Sequence, residues 1–184
     1  PKQFLDILNT GKTLIQMTYE RFLKIVPAEN IYVVTSDSYE KLVKEQLPAL
    51  TNSQILKEPM RRNTAPCITY VCDKIYTKDK DATIIVAASD HLILEEQKFL
   101  AVVAKCVEFV KDNSYLVTIG IKPTKPATGY GYIQFQDENA NGEFFRVKTF
   151  TEKPTIEIAK TFLKSGDFLW NSGMFVWKAK TILD

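Results

Sequence analysis

Ala82-Thr83-Ile84-Ile85-Val86-Ala87-Ala88-Ser89-Asp90-His91 is the stretch that decides the fold. Its first seven residues run apolar or β-branched without alternation. A strand with one wet face alternates, whereas a parallel strand covered on both faces by helices does not. The run therefore predicts a central strand of an open α/β sheet. Such sheets place their ligand crevice beyond the carboxyl ends of the strands, which is where Ser89, Asp90 and His91 stand.

Working outward, the apolar spacing of Leu14, Ile15, Tyr19, Phe22, Leu23 and Val26 predicts a helix over 13–26, stopped by Pro27. Ile31-Tyr32-Val33-Val34 reads as a buried strand. Ser36-Asp37-Ser38 supplies a turn or N-cap for a helix over 39–47, ended by Pro48. Ile55-Leu56 leads a short strand into Glu58-Pro59, and a helix is expected over 66–77, with Pro66 in its first turn. Beyond His91 come a helix over 96–112 and a strand over 116–121. Strand and helix alternate to this point, and right-handed crossovers turn that order into a doubly wound sheet.

After Pro123 the rhythm changes. Strands over 129–136 and 144–150 flank Asp137-Glu138-Asn139-Ala140-Asn141-Gly142, whose Asn-Gly pair signals an antiparallel hairpin insertion. A helix over 156–164 closes near Gly166, and a last strand spans 168–177. The fold class is thus α/β, a Rossmann-like, mainly parallel mixed sheet with flanking helices and an antiparallel hairpin.

Composition narrows the function. The chain has 184 residues, 45% hydrophobic and 25% charged, and no apolar run approaches the roughly 20 residues of a membrane span. Its 24 Lys and Arg against 22 Asp and Glu leave +2, too close to balance for nonspecific nucleic-acid binding. Any anion site is local. The 3 cysteines, Cys67, Cys72 and Cys106, form no disulfide framework, which points to a reducing, cytoplasmic setting. With the single histidine His91, metal sites built on His and Cys are disfavoured and oxygen ligands remain. Gly11-Lys12-Thr13 imitates the tail of a P-loop, but Asp6 occupies the position of the first glycine.

Asp90 suits Mg2+, which takes one or two carboxylates and keeps waters or substrate oxygens; an N-cap or turn role suits it equally. His91 reads as a structural hydrogen-bonder. Glu58-Pro59-Met60-Arg61-Arg62-Asn63-Thr64-Ala65-Pro66 offers an amide, two guanidinium forks and a helix start, fit either for base and phosphate recognition or for capping. In Thr128-Gly129-Tyr130-Gly131-Tyr132, Gly131 either marks a bulge or admits a ligand to the backbone. Adjacent strand residues point to opposite faces, so Glu152 and Lys153 in Phe150-Thr151-Glu152-Lys153-Pro154 are expected to act separately instead of as one ion pair. A carboxylate suits sugar hydroxyls and an ammonium suits a phosphate. Trp170-Asn171-Ser172-Gly173-Met174-Phe175 sets polar residues in an apolar strand, as for a polar group facing a cavity.

In this order, and together with Pro1-Lys2-Gln3-Phe4-Leu5, these segments resemble the sugar-phosphate nucleotidyltransferases. The Asn-Thr-Ala-Pro and Asn-Ser-Gly-Met-Phe segments are similar to the guanylyl- and mannose-specific branch of that family. The resemblance covers essentially the whole chain and implies a catalytic domain that joins GTP to mannose 1-phosphate, giving GDP-mannose and pyrophosphate with Mg2+. It implies Lys2 on the nucleotide phosphates and Asp90 on the metal. Glu58, Arg62, Asn63, Thr64, Ala65, Pro66 and Ser89 would line the nucleotide site. Gly131, Glu152 and Asn171 would hold the mannose, and Lys153 its phosphate. Lys2, Asp90 and Lys153 are then the catalytic set.

The family's glycine-rich loop precedes the Pro-Lys-Gln-Phe-Leu segment, and a second metal-binding aspartate follows the Asn-Ser-Gly-Met-Phe strand. The 184 residues are therefore expected to be one catalytic domain incomplete at both ends. A homodimer without nucleic-acid or membrane partners is expected. A noncatalytic nucleotide-sugar-binding subunit on the same fold, or a relative using another sugar phosphate or nucleotide, are the alternatives. The presence of Lys2, Asp90 and Lys153 favours the enzyme.

Overall fold

The computed structural model describes the backbone of residues 1–58, 64–141 and 143–184, with side chains except at 64 and 137–141. The chain forms a mixed α/β fold of two compact units, residues 1–117 with 176–184, and residues 118–175.

In the first unit α1 (Leu14–Phe22) leads to β1 (Val33–Thr35), α2 (Glu40–Gln46) and β2 (Ile55–Lys57). Then follow α3 (Thr64–Tyr76), β3 (Thr83–Val86) and α4 (Glu96–Asp112). α1 is shorter than its apolar spacing predicts. Residues 23–26 already form turns, with Lys24 N–H donating to Arg21 O, because Pro27 leaves no room for a further helical turn. α3 begins before Pro66, which a first helical turn tolerates because its amide has no intrahelical partner there. The helix expected over 96–112 is found with the same bounds as α4.

β1 and β2 pair in parallel, Val33 opposite Ile55 and Thr35 opposite Lys57. Under them a core of Phe4, Ile15, Val43, Leu47, Leu50 and Ile55 is buried, with Tyr19, Val33, Tyr39 and Leu42 packed against it. Amide side chains lock the joints around this core. Gln54, itself buried, donates to the carbonyls of Ala28 and Ile31 at 2.6 and 2.9 Å, which ties the entry of β1 to the entry of β2. Gln46 donates to the Phe4 carbonyl at 3.2 Å, and the Thr13 hydroxyl donates to Gln46 Oε1 at 2.7 Å.

Arg21 on α1 is 2% exposed and meets Glu96 of α4 at 3.4 Å, while Lys24 pairs with the same carboxylate from outside. The Arg21 guanidinium also lies 5.9 Å from the centre of the Phe99 ring. A buried guanidinium without its carboxylate is costly, so this group fixes α1 to the start of α4.

The second unit holds most of β4 (Val117–Ile121), β5 (Tyr132–Asn141), β6 (Phe144–Thr151), α5 (Ile156–Ser165) and most of β7 (Phe168–Lys178). β5 lies between β6 and β7 and is antiparallel to both. It starts three residues later than Gly129 and extends to Asn141, which lies opposite Phe144, while Gly142 of the predicted turn lies outside the described residues. α5 ends on Gly166, whose φ of 82° makes the left-handed cap that glycine adopts without strain. Tyr132, Ala159 and Phe168 form the unit's buried cluster, and the Phe162 and Phe168 rings stack with centroids 3.8 Å apart.

The expected mixed α/β sheet with flanking helices is present, and among the described residues its strands fall into two ladders. β1 and β2 make a sheet of their own, while β3 and β4 both pair with β7. β7 is 11 residues long, enough ladder for several partners, and its last residues belong to the first unit. None of the four residues of β3 is exposed, in keeping with a strand covered on both faces.

Two expected outcomes follow from this packing. A Cβ on Gly120 would lie 2.5 Å from Leu169 Cδ1, so Gly120→Ala destabilises by about 1–3 kcal/mol in urea unfolding, and Leu169→Ala in the same chain recovers part of it. Lys24, and behind it Arg21, hold the Glu96 carboxyl below its ordinary value. That stabilisation is complete above the unfolded carboxyl's range and lost as pH falls through the lowered folded value. Glu96→Gln should lower the urea midpoint at pH 7 and flatten its fall between about pH 5 and pH 3.

Candidate functional site

Lys2 sits in a short 3-10 turn, Lys2–Phe4, with an exposed side chain. Phe4 is the anchor: its ring is in the buried core and its carbonyl is held by Gln46, so the turn presents Lys2 from a fixed base. Gly11 is no phosphate loop. The Asp6 carboxylate accepts the Thr10 and Gly11 amides at 3.0 and 2.7 Å, which spends the donors a phosphate would need.

Asp90 follows β3 in a turn and is exposed, while Ser89 and His91 are half-buried. The Ser89 carbonyl lies 3.5 Å from the Thr18 hydroxyl of α1, a long tie between this turn and that helix. Among the described residues no three His, Cys, Asp or Glu side chains cluster as a metal cage. A lone exposed carboxylate of this kind fits Mg2+, which completes its shell with water and substrate oxygens and does not need an all-protein cage.

Glu58 continues the β2 ladder, its amide donating to Thr35 O at 2.9 Å. Its carboxylate takes a hydrogen bond from the Cys67 thiol on the first turns of α3; burial first, and this carboxylate second, push that thiol up to about 12. Ala65 and Pro66 are exposed on the first turn of α3. Arg61, Arg62 and Asn63 lie outside the described residues, as does the side chain of Thr64.

The second unit brings together three residues that are far apart in sequence. Tyr132 is paired with Thr151 on one side and Trp170 on the other. One step along the ladder the same register sets Gly131 between Glu152 and Asn171, and the Asn171 amide donates to the Gly131 carbonyl at 2.8 Å. A Cβ on Gly131 would stand 2.8 Å from Glu152 Oε2 and 3.8 Å from Asn171 Nδ2. The missing side chain thus leaves a space flanked by a carboxylate and an amide.

Here one sequence expectation is corrected. Glu152 and Lys153 do form an ion pair, Lys153 Nζ lying 3.2 Å from Glu152 Oε1. They lie just past the end of β6, and Lys153 has φ 42°, so strand alternation does not apply and the ammonium curls back. Both side chains are exposed, which makes the pair weak. A left-handed lysine costs of order 1 kcal/mol and marks a site whose geometry is imposed by its surroundings. Of the polar residues in β7, Asn171 is the one beside the space at Gly131, and Ser172 is used inside the unit. Its hydroxyl donates to the Ile119 carbonyl at 2.6 Å and accepts the Met174 amide at 3.2 Å, strapping β7 to β4. Gly173, with φ 70°, and Thr118 complete this strap; the sequence showed Gly173 as a glycine inside an apolar strand, and Thr118 escaped it.

Among the described residues no helix is long and apolar enough to cross a membrane, and Cys67, Cys72 and Cys106 are free thiols.

Comparison with known proteins gives this arrangement a context. The chain is 37% identical over 191 residues to a mannose-1-phosphate guanylyltransferase of Salmonella montevideo, a match that covers 100% of this chain and 40% of that protein. The chain therefore spans about two fifths of that relative's length. A crystal structure described as mannose-1-phosphate geranyltransferase from Thermus thermophilus superposes with a TM-score of 0.88 at 27% identity, over 99% of this chain and 52% of that one. A structure described as mannose-6-phosphate isomerase from Helicobacter pylori gives 0.84 at 33% identity, over 100% of this chain and 68% of the other. The family model described as nucleotidyl transferase matches residues 1–184, so the chain belongs to the nucleotidyl transferase family.

Proposed function

We propose that the protein transfers GMP from GTP to mannose 1-phosphate, giving GDP-mannose and pyrophosphate, and that residues 1–184 act as one catalytic domain. The observation that carries the reading is the row Glu152, Gly131 and Asn171, a hydroxyl-reading pair beside a lysine in a family of nucleotidyl transferases. The Salmonella relative's name supports guanylyl and mannosyl substrates over other nucleotides and sugars.

In the reaction an oxygen of the sugar phosphate attacks the α-phosphorus of GTP while the bond to the pyrophosphate oxygen breaks in line. No covalent protein intermediate is required, so positioning and charge neutralisation supply the rate. Glu152 and Asn171 orient the mannose through its hydroxyls. Lys153 steers the sugar phosphate and lessens its repulsion from the nucleotide. Lys2 balances charge on the nucleotide phosphates. Glu58, Ala65 and Pro66, with Arg62, Asn63 and Thr64 by sequence, hold the nucleotide near the start of α3, and Ser89 carries the turn on which Asp90 stands. Asp90 would hold Mg2+, which when bound offsets the charge that builds on the phosphates. A cytoplasmic setting fits the three free thiols, and a homodimer is the assembly we propose.

The direct test is pyrophosphate release from GTP and mannose 1-phosphate by the full-length protein with Mg2+, compared with UTP and dTTP. Release specific to GTP is expected. No release at high enzyme concentration, with GDP-mannose still bound, would make the protein a noncatalytic binder. Asp90 is exposed and makes no hydrogen bond or ion pair among the described residues. Asp90→Asn should therefore leave the melting temperature within a few degrees and cut kcat by about 100-fold or more. Near-normal turnover would remove Asp90 from the metal site. Lys153→Gly relieves a left-handed lysine while adding unfolded-chain entropy, so stability should stay near wild type while the KM for mannose 1-phosphate rises about tenfold.

A further inference from the structure

We propose that Gly173 is a positioning residue: its backbone N–H fixes which way round the Asn171 amide sits, so that the amide nitrogen and the Glu152 carboxylate together read one neutral hydroxyl in the space above Gly131. The inference rests on the sugar-phosphate reading above and specifies the chemistry of its hydroxyl subsite.

An asparagine amide has nearly the same shape with oxygen and nitrogen exchanged, so packing alone does not orient it; its hydrogen-bond neighbours do. The Gly173 N–H lies 2.9 Å from one terminal atom of Asn171. A backbone N–H only donates, so that atom is Oδ1. The Thr118 hydroxyl, which donates to Met174 O at 3.2 Å, stands 3.5 Å from the same oxygen. Nδ2 is thereby turned the other way, towards Gly131. The Asn171 main chain has no freedom to undo this, because its amide is bonded to the Gly131 carbonyl. With this peptide plane held on Asn171, β7 continues from it only through the Gly173 φ of 70°, a conformation that a β-branched residue resists.

The resulting space has a donor on one wall and an acceptor on the other. A phosphate or carboxylate oxygen only accepts and would face the Glu152 carboxylate. An ammonium only donates and would leave Nδ2 without an acceptor. A hydroxyl accepts from Nδ2 and donates to Glu152, and it satisfies both. The other Glu152 oxygen, Oε1, faces Lys153, which leaves Oε2 as the one beside Gly131.

The test separates the lock from the recognition. In the full-length protein without substrate, amide hydrogen exchange of Gly173 should be slow in wild type and in Asn171→Asp, which keeps the accepting oxygen. It should be about tenfold or more faster in Asn171→Ala. Equal protection in Asn171→Ala would overturn the lock. With substrate, Asn171→Asp replaces the donor by a second carboxylate oxygen and should raise the KM for mannose 1-phosphate about tenfold or more, with the KM for GTP and the melting temperature unchanged. An unchanged sugar KM would reduce Asn171 to a turn residue. A Cβ on Gly173 meets nothing within 4 Å, so substitutions there probe φ alone. Gly173→Val should raise the sugar KM as Asn171→Asp does, and Gly173→Asn, which tolerates a positive φ, should restore it to within about threefold. A normal sugar KM in Gly173→Val would overturn the positioning role. A wild-type protein that binds and converts no sugar phosphate would overturn the guanylyltransferase reading and the hydroxyl subsite with it, while the exchange experiment would still decide the amide lock.

Discussion

The pairing of β5 with two neighbours is the constraint on which the second unit depends. Tyr132 is fully buried, it lies opposite Thr151 and Trp170 at once, and its hydroxyl donates to Ala127 O at 2.9 Å. A slip of one residue would turn this ring out of its cluster with Ala159 and Phe168 and reverse the facing of every side chain on the strand. The register is therefore strongly specified. Because it is, the next position along the ladder is specified too, and that position is Gly131 between Glu152 and Asn171. The same burial that stabilises the strands sets the geometry of the candidate sugar site.

The polar residues of β7 show how a strand can hold a functional side chain without losing its ladder. Ser172 bonds to β4, Asn171 bonds to Gly173, and Thr118 bonds back to Met174. Each of these polar groups finds a partner within the unit, as buried polar groups must. Among the described residues the Asn171 Nδ2 has no hydrogen-bond partner. In the first unit amide side chains have a comparable role. Gln46 and Gln54 tie turns and strand entries to a small core, so that Lys2 projects from anchored backbone instead of from a loose loop.

Much of this was legible in the residues. The α4 helix, the α5 helix with its glycine cap and the long final strand follow from periodicity and from the conformational freedom of Gly166, both of which are local properties. Strand pairing was less legible. The alternation of strand and helix implied a mixed sheet but not its partners: among the described residues β1 pairs with β2, and β3 and β4 pair with β7. Ladder partners are chosen by packing between residues distant in sequence, and nothing in a short apolar run names its neighbour. For the same reason the pairing of Glu152 with Lys153 was hidden: alternation holds inside a strand, and where a strand ends depends on its partner.

By itself the sequence determined the α/β class, the kinds of chemistry available and their addresses: a carboxylate after the central strand, a glycine between aromatics, an asparagine in an apolar run. These depend on residue type and spacing, which the chain carries whatever its conformation. Only the tertiary structure decided that Glu152, Gly131 and Asn171 share one row and that Lys153 bends back on Glu152. It alone turned one end of the Asn171 amide towards Gly173 and the other towards the gap. Those are outcomes of register, of two positive backbone angles and of the direction of single hydrogen bonds, and such quantities exist only once strands distant in sequence have paired.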